Sequence, residues 1–413
     1  MAQRGVSLRR GLGICLVQWC LAWLLRDTAF AGWSLVGRPG RPGRPHGQVA
    51  RTLDPRTRER LHIEGIEEEG IEDMRKRAAS RIERAADWDD LIRGLDSRLN
   101  IPSEYFSGLV ASAAYRQLVN IQIGRPLGER DWDSSVLLRF HARVEDLARD
   151  DQLGEVFDEI LLSISKLYKL SDGCDPLKPP IRLLSLLVES SPGKVNGMSA
   201  QGLANSLEAC AMLKDIMPGV LKLVPDIFVQ IPAKAKDMVP SALSTCLWAY
   251  AQLIDSVLPY DIQTPFQALA VEIPHKVKDM NKPDLTKCLW ALAQLKDVRP
   301  LDVKKLVPAI SAHMTQFDEF QLSPELAANL LWAVAKLKDV TFPILKPERK
   351  LQSLAWRAAC SARTLSRSDL RSCTWAVGQL LQELYKLERE NDFCDFDLVE
   401  WKDRAAEDVT GRE

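Results

Sequence analysis

Polar side chains suited to meeting a base edge or a phosphate recur at fixed places in this sequence. Asn205, Thr245, Lys287, Asn329 and Ser372 each lie three residues before a recurring position held by Glu208, Trp248, Trp290, Trp332 and Trp375. Met212, Gln252, Gln294, Lys336 and Gln379 each lie four residues after it. Amides and hydroxyls can hydrogen-bond base edges, and lysines can neutralise phosphates. Helical-repeat proteins read about one base per unit through two or three such side chains. The bland explanation carries weight for any single residue, because a two-helix unit keeps one polar, solvated face whatever it binds. Lys234, Lys236, Lys276, Lys278, Lys304 and Lys305 form a further set that could line an array, with the same reservation.

Other chemistry is thinly represented. The five histidines, His46, His62, His141, His275 and His313, have no partner at a telling spacing. There is no phosphate-cradling glycine loop, no nucleophile elbow and no paired-histidine zinc motif. The nine cysteines form no C-x-x-C pair. Cys246, Cys288 and Cys373 fall at one place in successive segments, as small apolar core residues of a reducing compartment do. The expectation is a protein with no catalytic residue, no metal and no cofactor, and therefore not an enzyme.

The elements that carry these residues form a repeat. Cys246-Leu247-Trp248-Ala249-Tyr250-Ala251-Gln252-Leu253 matches Cys288-Leu289-Trp290-Ala291-Leu292-Ala293-Gln294-Leu295, and both match the segment around Trp332. Trp248, Trp290 and Trp332 are 42 residues apart, Trp375 follows after 43, and Glu208 precedes by 40. Met198, Met238, Met280, Leu322 and Leu365 repeat the period ten residues upstream of each anchor. Leu203/Leu207/Ala211 and Leu243/Leu247/Ala251 mark one face of a helix. Small residues such as Ala249, Ala291 and Ala333 admit a close neighbour, and the tryptophans offer large apolar surfaces to fill the space between units. Pro240, Asp284 and Pro324 suit a first helical turn, and a second amphipathic helix follows each anchor helix. Two helices in 40–43 residues cannot bury both faces alone, so units must stack. The expected fold is all-α, an α-solenoid of two-helix repeats behind a helical N-terminal region.

The string Leu-Trp-Ala-x-Ala-x-Leu at this spacing resembles the octotricopeptide and heptatricopeptide class of repeats, related to those found beside RAP domains and in FAST-kinase-like proteins. The resemblance covers residues 198–381. It implies binding of single-stranded organellar RNA and a role in transcript stability, processing, splicing or translation. No RAP-like tail follows, and Glu208 departs from the tryptophan pattern.

The amino terminus agrees with an organelle. Arg4, Arg9 and Arg10 precede an apolar run over 11–25, and Ala29, Phe30 and Ala31 follow, as in a cleavable signal peptide (1–31). Residues 32–60 are rich in Arg, Gly and Pro, a transit-like linker unable to pack a core. Together they predict delivery to a plastid, with a mitochondrion as the alternative, and no membrane span after leader cleavage. An acidic helical region is expected over 61–160, the repeat array over 161–381 and an acidic cap or tail over 382–413. Residues 201–382 hold 21 Lys+Arg against 17 Asp+Glu, mildly basic between acidic flanks. The sequence thus predicts a single-stranded organellar RNA binder, working with other RNA-processing proteins. The competing reading is a protein–protein scaffold of HEAT/armadillo type, favoured by the net charge of −9 over 61–413.

Overall fold

The structure, a computed structural model, describes residues 68–100, 106–124, 134–170, 179–191, 193–256, 263–314, 322–345, 370–380 and 382. The expected leader (1–31), the linker (32–60) and the tail beyond 382 lie outside the described residues.

Helix starts follow the repeat register. The residues after the first four Met/Leu register positions are Ser199, Val239, Asn281 and Ser323, and each of them stands at the head of an anchor helix; the fifth lies outside the described residues. Ser199 Oγ accepts from Gly202 N at 3.0 Å, and Ser323 Oγ from Leu326 N at 3.4 Å. Asn281 and Asp284 form a reciprocal capping box, Oδ1 of Asn281 accepting from Asp284 N and Oδ2 of Asp284 from Asn281 N. Val239 has no capping side chain, and Pro240 supplies the pre-set first turn instead. Helix ends follow the sequence too. Pro232 and Pro274 cannot donate to the i−4 carbonyl, and within three residues each helix tightens into a 3-10 turn, 235–237 and 277–279.

Fourteen helices of eight or more residues lie among the described residues between 68 and 345. α1 is Glu68–Glu83, α2 Trp88–Leu99, α3 Gly108–Gly124, α4 Ser134–Arg149, α5 Phe157–Leu170, α6 Ile181–Glu189 and α7 Ala200–Leu213. α8 is Val224–Lys234, α9 Pro240–Leu253, α10 Gln263–Lys276, α11 Lys282–Leu295, α12 Pro300–Met314, α13 Pro324–Lys336 and α14 Lys338–Leu345. Residues 370–380 are also helical, and no strand occurs among the described residues. The chain forms two compact units, divided between Gln294 and Leu295.

In the first unit, alternate helices pack together. The odd series runs α1 on α3, α3 on α5, α5 on α7 and α7 on α9. The even series runs α2 on α4 and α4 on α6, then α6 on the 3-10 turn Pro218–Leu223 that leads into α8, and α8 on α10. This alternation begins at α1, well upstream of the sequence repeat. The helical faces marked by Leu203, Leu207, Leu243 and Leu247 are the buried ones, all four inaccessible, as are Leu91 and Leu95 of α2. A fully buried side chain of this size contributes about 1.5–3 kcal/mol. Tyr250 stacks between Phe228 and Phe266, with ring centroids 5.6 and 5.5 Å apart, and so ties α9 to α8 and α10. In the second unit α12 and α13 both pack on α14, and Cys373 and Leu370 of the last helical segment pack against Ala328 of α13.

Candidate nucleic-acid interface

The positions three before each anchor lie in the middle of α7, α9, α11 and α13, and those four after it in the last turn of the same helices. The structure gives three of them hydrogen-bond partners within the protein. Asn205 of α7 donates its amide to Asp158 Oδ2 of α5 at 2.8 Å. Asp158 is buried, and loss of water raises its carboxyl above the usual range, while the Asn205 bond opposes that rise. Gly202 sits against this pair: a Cβ there would lie 3.3 Å from Ser199 Oγ and 3.4 Å from the Asp158 carboxyl carbon. Thr245 is also buried, and its hydroxyl accepts from Lys287 Nζ at 3.1 Å.

Lys287 is the hub of the first unit's odd face. From α11 its ammonium reaches Thr245 of α9 and, past α9, Glu208 Oε1 of α7 at 3.1 Å. It also stands 6.0 Å from the centre of the Trp248 ring. The pair thus bridges α7 and α11 past α9. Glu208, the exception to the tryptophan pattern, is therefore the counter-ion of Lys287.

The tryptophans are only in part inside the packing between repeats. Trp248, Trp290 and Trp332 are only part-buried, and Trp375 is 41% exposed. Trp248 and Trp290 do touch between repeats, with centroids 6.3 Å apart and planes tilted by 39°. Aromatic and aliphatic side chains, among them Tyr250 and Phe266, already fill the interior at close packing. The indoles lie at the edge of this interior, each partly exposed on its helix. In the second unit Lys336 Nζ stands between two of them, 6.0 Å from the Trp332 centroid and 5.7 Å from that of Trp375. Lys336 has no carboxylate partner among the described residues. Asn329, Ser372 and Gln379 are part-exposed in the same unit. In the first unit Gln294 is exposed, and Gln252 and Met212 are part-buried.

The second lysine set does not share this face. Lys234, Lys236, Lys276 and Lys278 lie at the ends of α8 and α10 and in the turns after them, at the rim from which α9 and α11 start. Lys276 donates to the carbonyls of Lys236 and Met238, capping the turn before α9. Lys304 and Lys305 are exposed on α12 in the second unit.

No family model matches this chain, and a search of curated proteins finds none similar to it.

Among the described residues no group of three or more His, Cys, Asp or Glu side chains could hold a metal ion. Nor is any helix among them long and apolar enough to cross a membrane. Cys210, Cys246 and Cys288 are free and buried; burial pushes the thiols of Cys210 and Cys246 up to about 12 and that of Cys288 up as well. Sequence reasoning missed Asp158, whose pairing with Asn205 spans 47 residues and follows no period. It also missed the buried pair Tyr115–His141, joined at 2.9 Å between α3 and α4. Glu208 left a visible signal, since it alone breaks the anchor series.

Proposed function

We propose that the protein is an RNA-binding helical-repeat factor of an organelle, acting on single-stranded RNA in transcript processing, stability or translation. In this reading the alternate-helix stack of α1–α11 is an α-solenoid, and its odd helices carry the RNA face. The observation that carries the proposal is the set of surface indoles on the odd helices with lysines beside their rings, Lys287 at Trp248 and Lys336 at Trp332 and Trp375. Aromatic faces set among cations suit single-stranded nucleic acid. The sequence resemblance and the two-part leader add to it, the leader favouring a plastid over a mitochondrion. Other RNA-processing proteins are the natural co-partners.

One observation favours the scaffold reading instead. Val229 and Val271, 42 residues apart on α8 and α10, are 73% and 60% exposed, an apolar repeat on the even series that a protein partner could cover. The deciding experiment titrates the full chain against a pool of single-stranded RNAs at several salt concentrations. RNA binding predicts salt-dependent affinity, enrichment of some sequences, and weakening by Lys336→Glu. No binding to any RNA at low salt would sink the RNA reading and leave the scaffold.

A further inference from the structure

The polar series suggests a reader of base edges, yet the three members that lie three residues before the anchors in the first unit are engaged inside the protein. Asn205 is tied to Asp158, Thr245 is buried under Lys287, and Lys287 is held by Glu208. What the odd helices and the last helical segment also present is part-exposed indole surface, most of all Trp375 at 41%. Each unit carries one lysine–tryptophan group: Lys287 with Trp248 and its neighbour Trp290, and Lys336 with Trp332 and Trp375.

We infer that each group is a nucleotide subsite in which an indole stacks on a base of single-stranded RNA while the lysine leaves the ring for the adjoining phosphate. This rests on the RNA reading above and gives it a recognition mode. Every base has a π-face, so stacking on tryptophan is tolerant of sequence. The ammonium near each ring is a weak cation–π contact at a part-exposed site. A phosphate is a stronger partner for it, and its departure uncovers the ring. Lys336 is ready for this exchange, having no carboxylate partner among the described residues. Lys287 is restrained, because the Glu208 carboxylate already occupies it at 3.1 Å. Glu208 stands at the anchor position that tryptophan holds in the later repeats, so this unit sets an anion where RNA must compete for the lysine.

The test uses the full chain with an oligouridylate and an oligoadenylate of about 15 nucleotides, a length suited to single-strand binding sites. Anisotropy of the labelled RNA gives affinity, and tryptophan emission reports stacking. The expected results are quenched emission with both RNAs and about tenfold weaker binding by Trp375→Leu, with part of the quench lost. Glu208→Gln should bind several-fold tighter, with a salt slope steeper by about 0.7, the increment for one more phosphate neutralised. Binding by the wild type with emission unchanged, Trp375→Leu within twofold and Glu208→Gln unaltered overturns the subsites while leaving the RNA reading in place. No binding to either RNA at low salt overturns both. Should Trp375→Leu fail to fold, as judged by its thermal melt, the wild-type quench and Glu208→Gln still decide.

Discussion

At the scale of single residues, the sharpest physical signature is a buried imidazole. His141 is 2% exposed and shares a 2.9 Å hydrogen bond through Nδ1 with the Tyr115 hydroxyl. Its Nε2 is buried with no partner. If Tyr115 donates, an Nε2–H is left without an acceptor; if Tyr115 accepts, an Nε2 lone pair is left without a donor. Burial pushes the imidazole down to about 4, and it raises the Tyr115 phenol as well. The sign follows from linkage. The fold holds His141 neutral, whereas the unfolded chain protonates it near its ordinary value of about 6.5. Its contribution to stability is therefore complete above about pH 6.5 and falls as pH drops towards 4, by about 3 kcal/mol in all. Asp158 acts in the opposite direction: its raised carboxyl takes up a proton more readily folded than unfolded, which favours the fold as pH falls. The predicted outcome is a denaturation midpoint that declines between pH 6.5 and 4 in the wild type. His141→Phe should be less stable at pH 7, with the Tyr115 hydroxyl unpaired, but its profile over that range should be flatter. An equally steep profile in that variant would assign the slope elsewhere.

At the scale of elements, the joint between repeats is where sequence and stability meet most directly. Asp284 caps the start of α11 through Asn281 and accepts from the buried Ser244 hydroxyl of α9 at 2.9 Å. Asp284→Ala removes half of a capping box and leaves Ser244 without its carboxylate, so a loss of about 2–3 kcal/mol is expected in urea denaturation. Ser244→Ala in the same background should add little, since the two effects share one hydrogen bond. A fully additive pair would mean that this bond contributes nothing. Such joints were partly legible beforehand, since Pro240, Asp284 and Pro324 mark first helical turns, but the Asn281 half of the box follows no recurring residue. The packing of α1–α6 was not. Those helices alternate as α7–α10 do, yet their cores are made by Tyr115, Phe140 and Phe157 without the Trp-Ala signature, so no period in the chain announces them. The candidate site was half legible. Spacing showed that Asn205, Thr245 and Lys287 share a register, but their partners Asp158 and Glu208 lie 47 and 79 residues from Asn205 and Lys287, beyond any local pattern. Nor could spacing say that the anchor tryptophans are left part-exposed, because a helix packed on two sides has apolar residues on more than one face.

At the scale of the whole molecule, the buried thiols offer a probe of how the stack opens. Cys210, Cys246 and Cys288 belong to α7, α9 and α11, successive members of the odd series. Folded protein treated with iodoacetamide at pH 8 should remain unlabelled at all three, since they are inaccessible and their thiolates are scarce. In denaturant all three should label, as read by peptide mass mapping. Labelling of one alone under native conditions would identify a layer that opens by itself. One connection between layers has a wider meaning. Lys214, six residues after its anchor, donates to the carbonyl of Gln252, four residues after the next anchor, at 2.7 Å; Lys296 and the carbonyl of Lys336 repeat the arrangement at 2.9 Å. At two junctions a repeat thus offers a backbone acceptor to the lysine of the repeat before it. A duplicated segment of the gene carries both halves of that fastening with it. The number of repeats can grow by copying without a new interface being invented, whereas a deletion that begins between a donor and its acceptor strands a lysine.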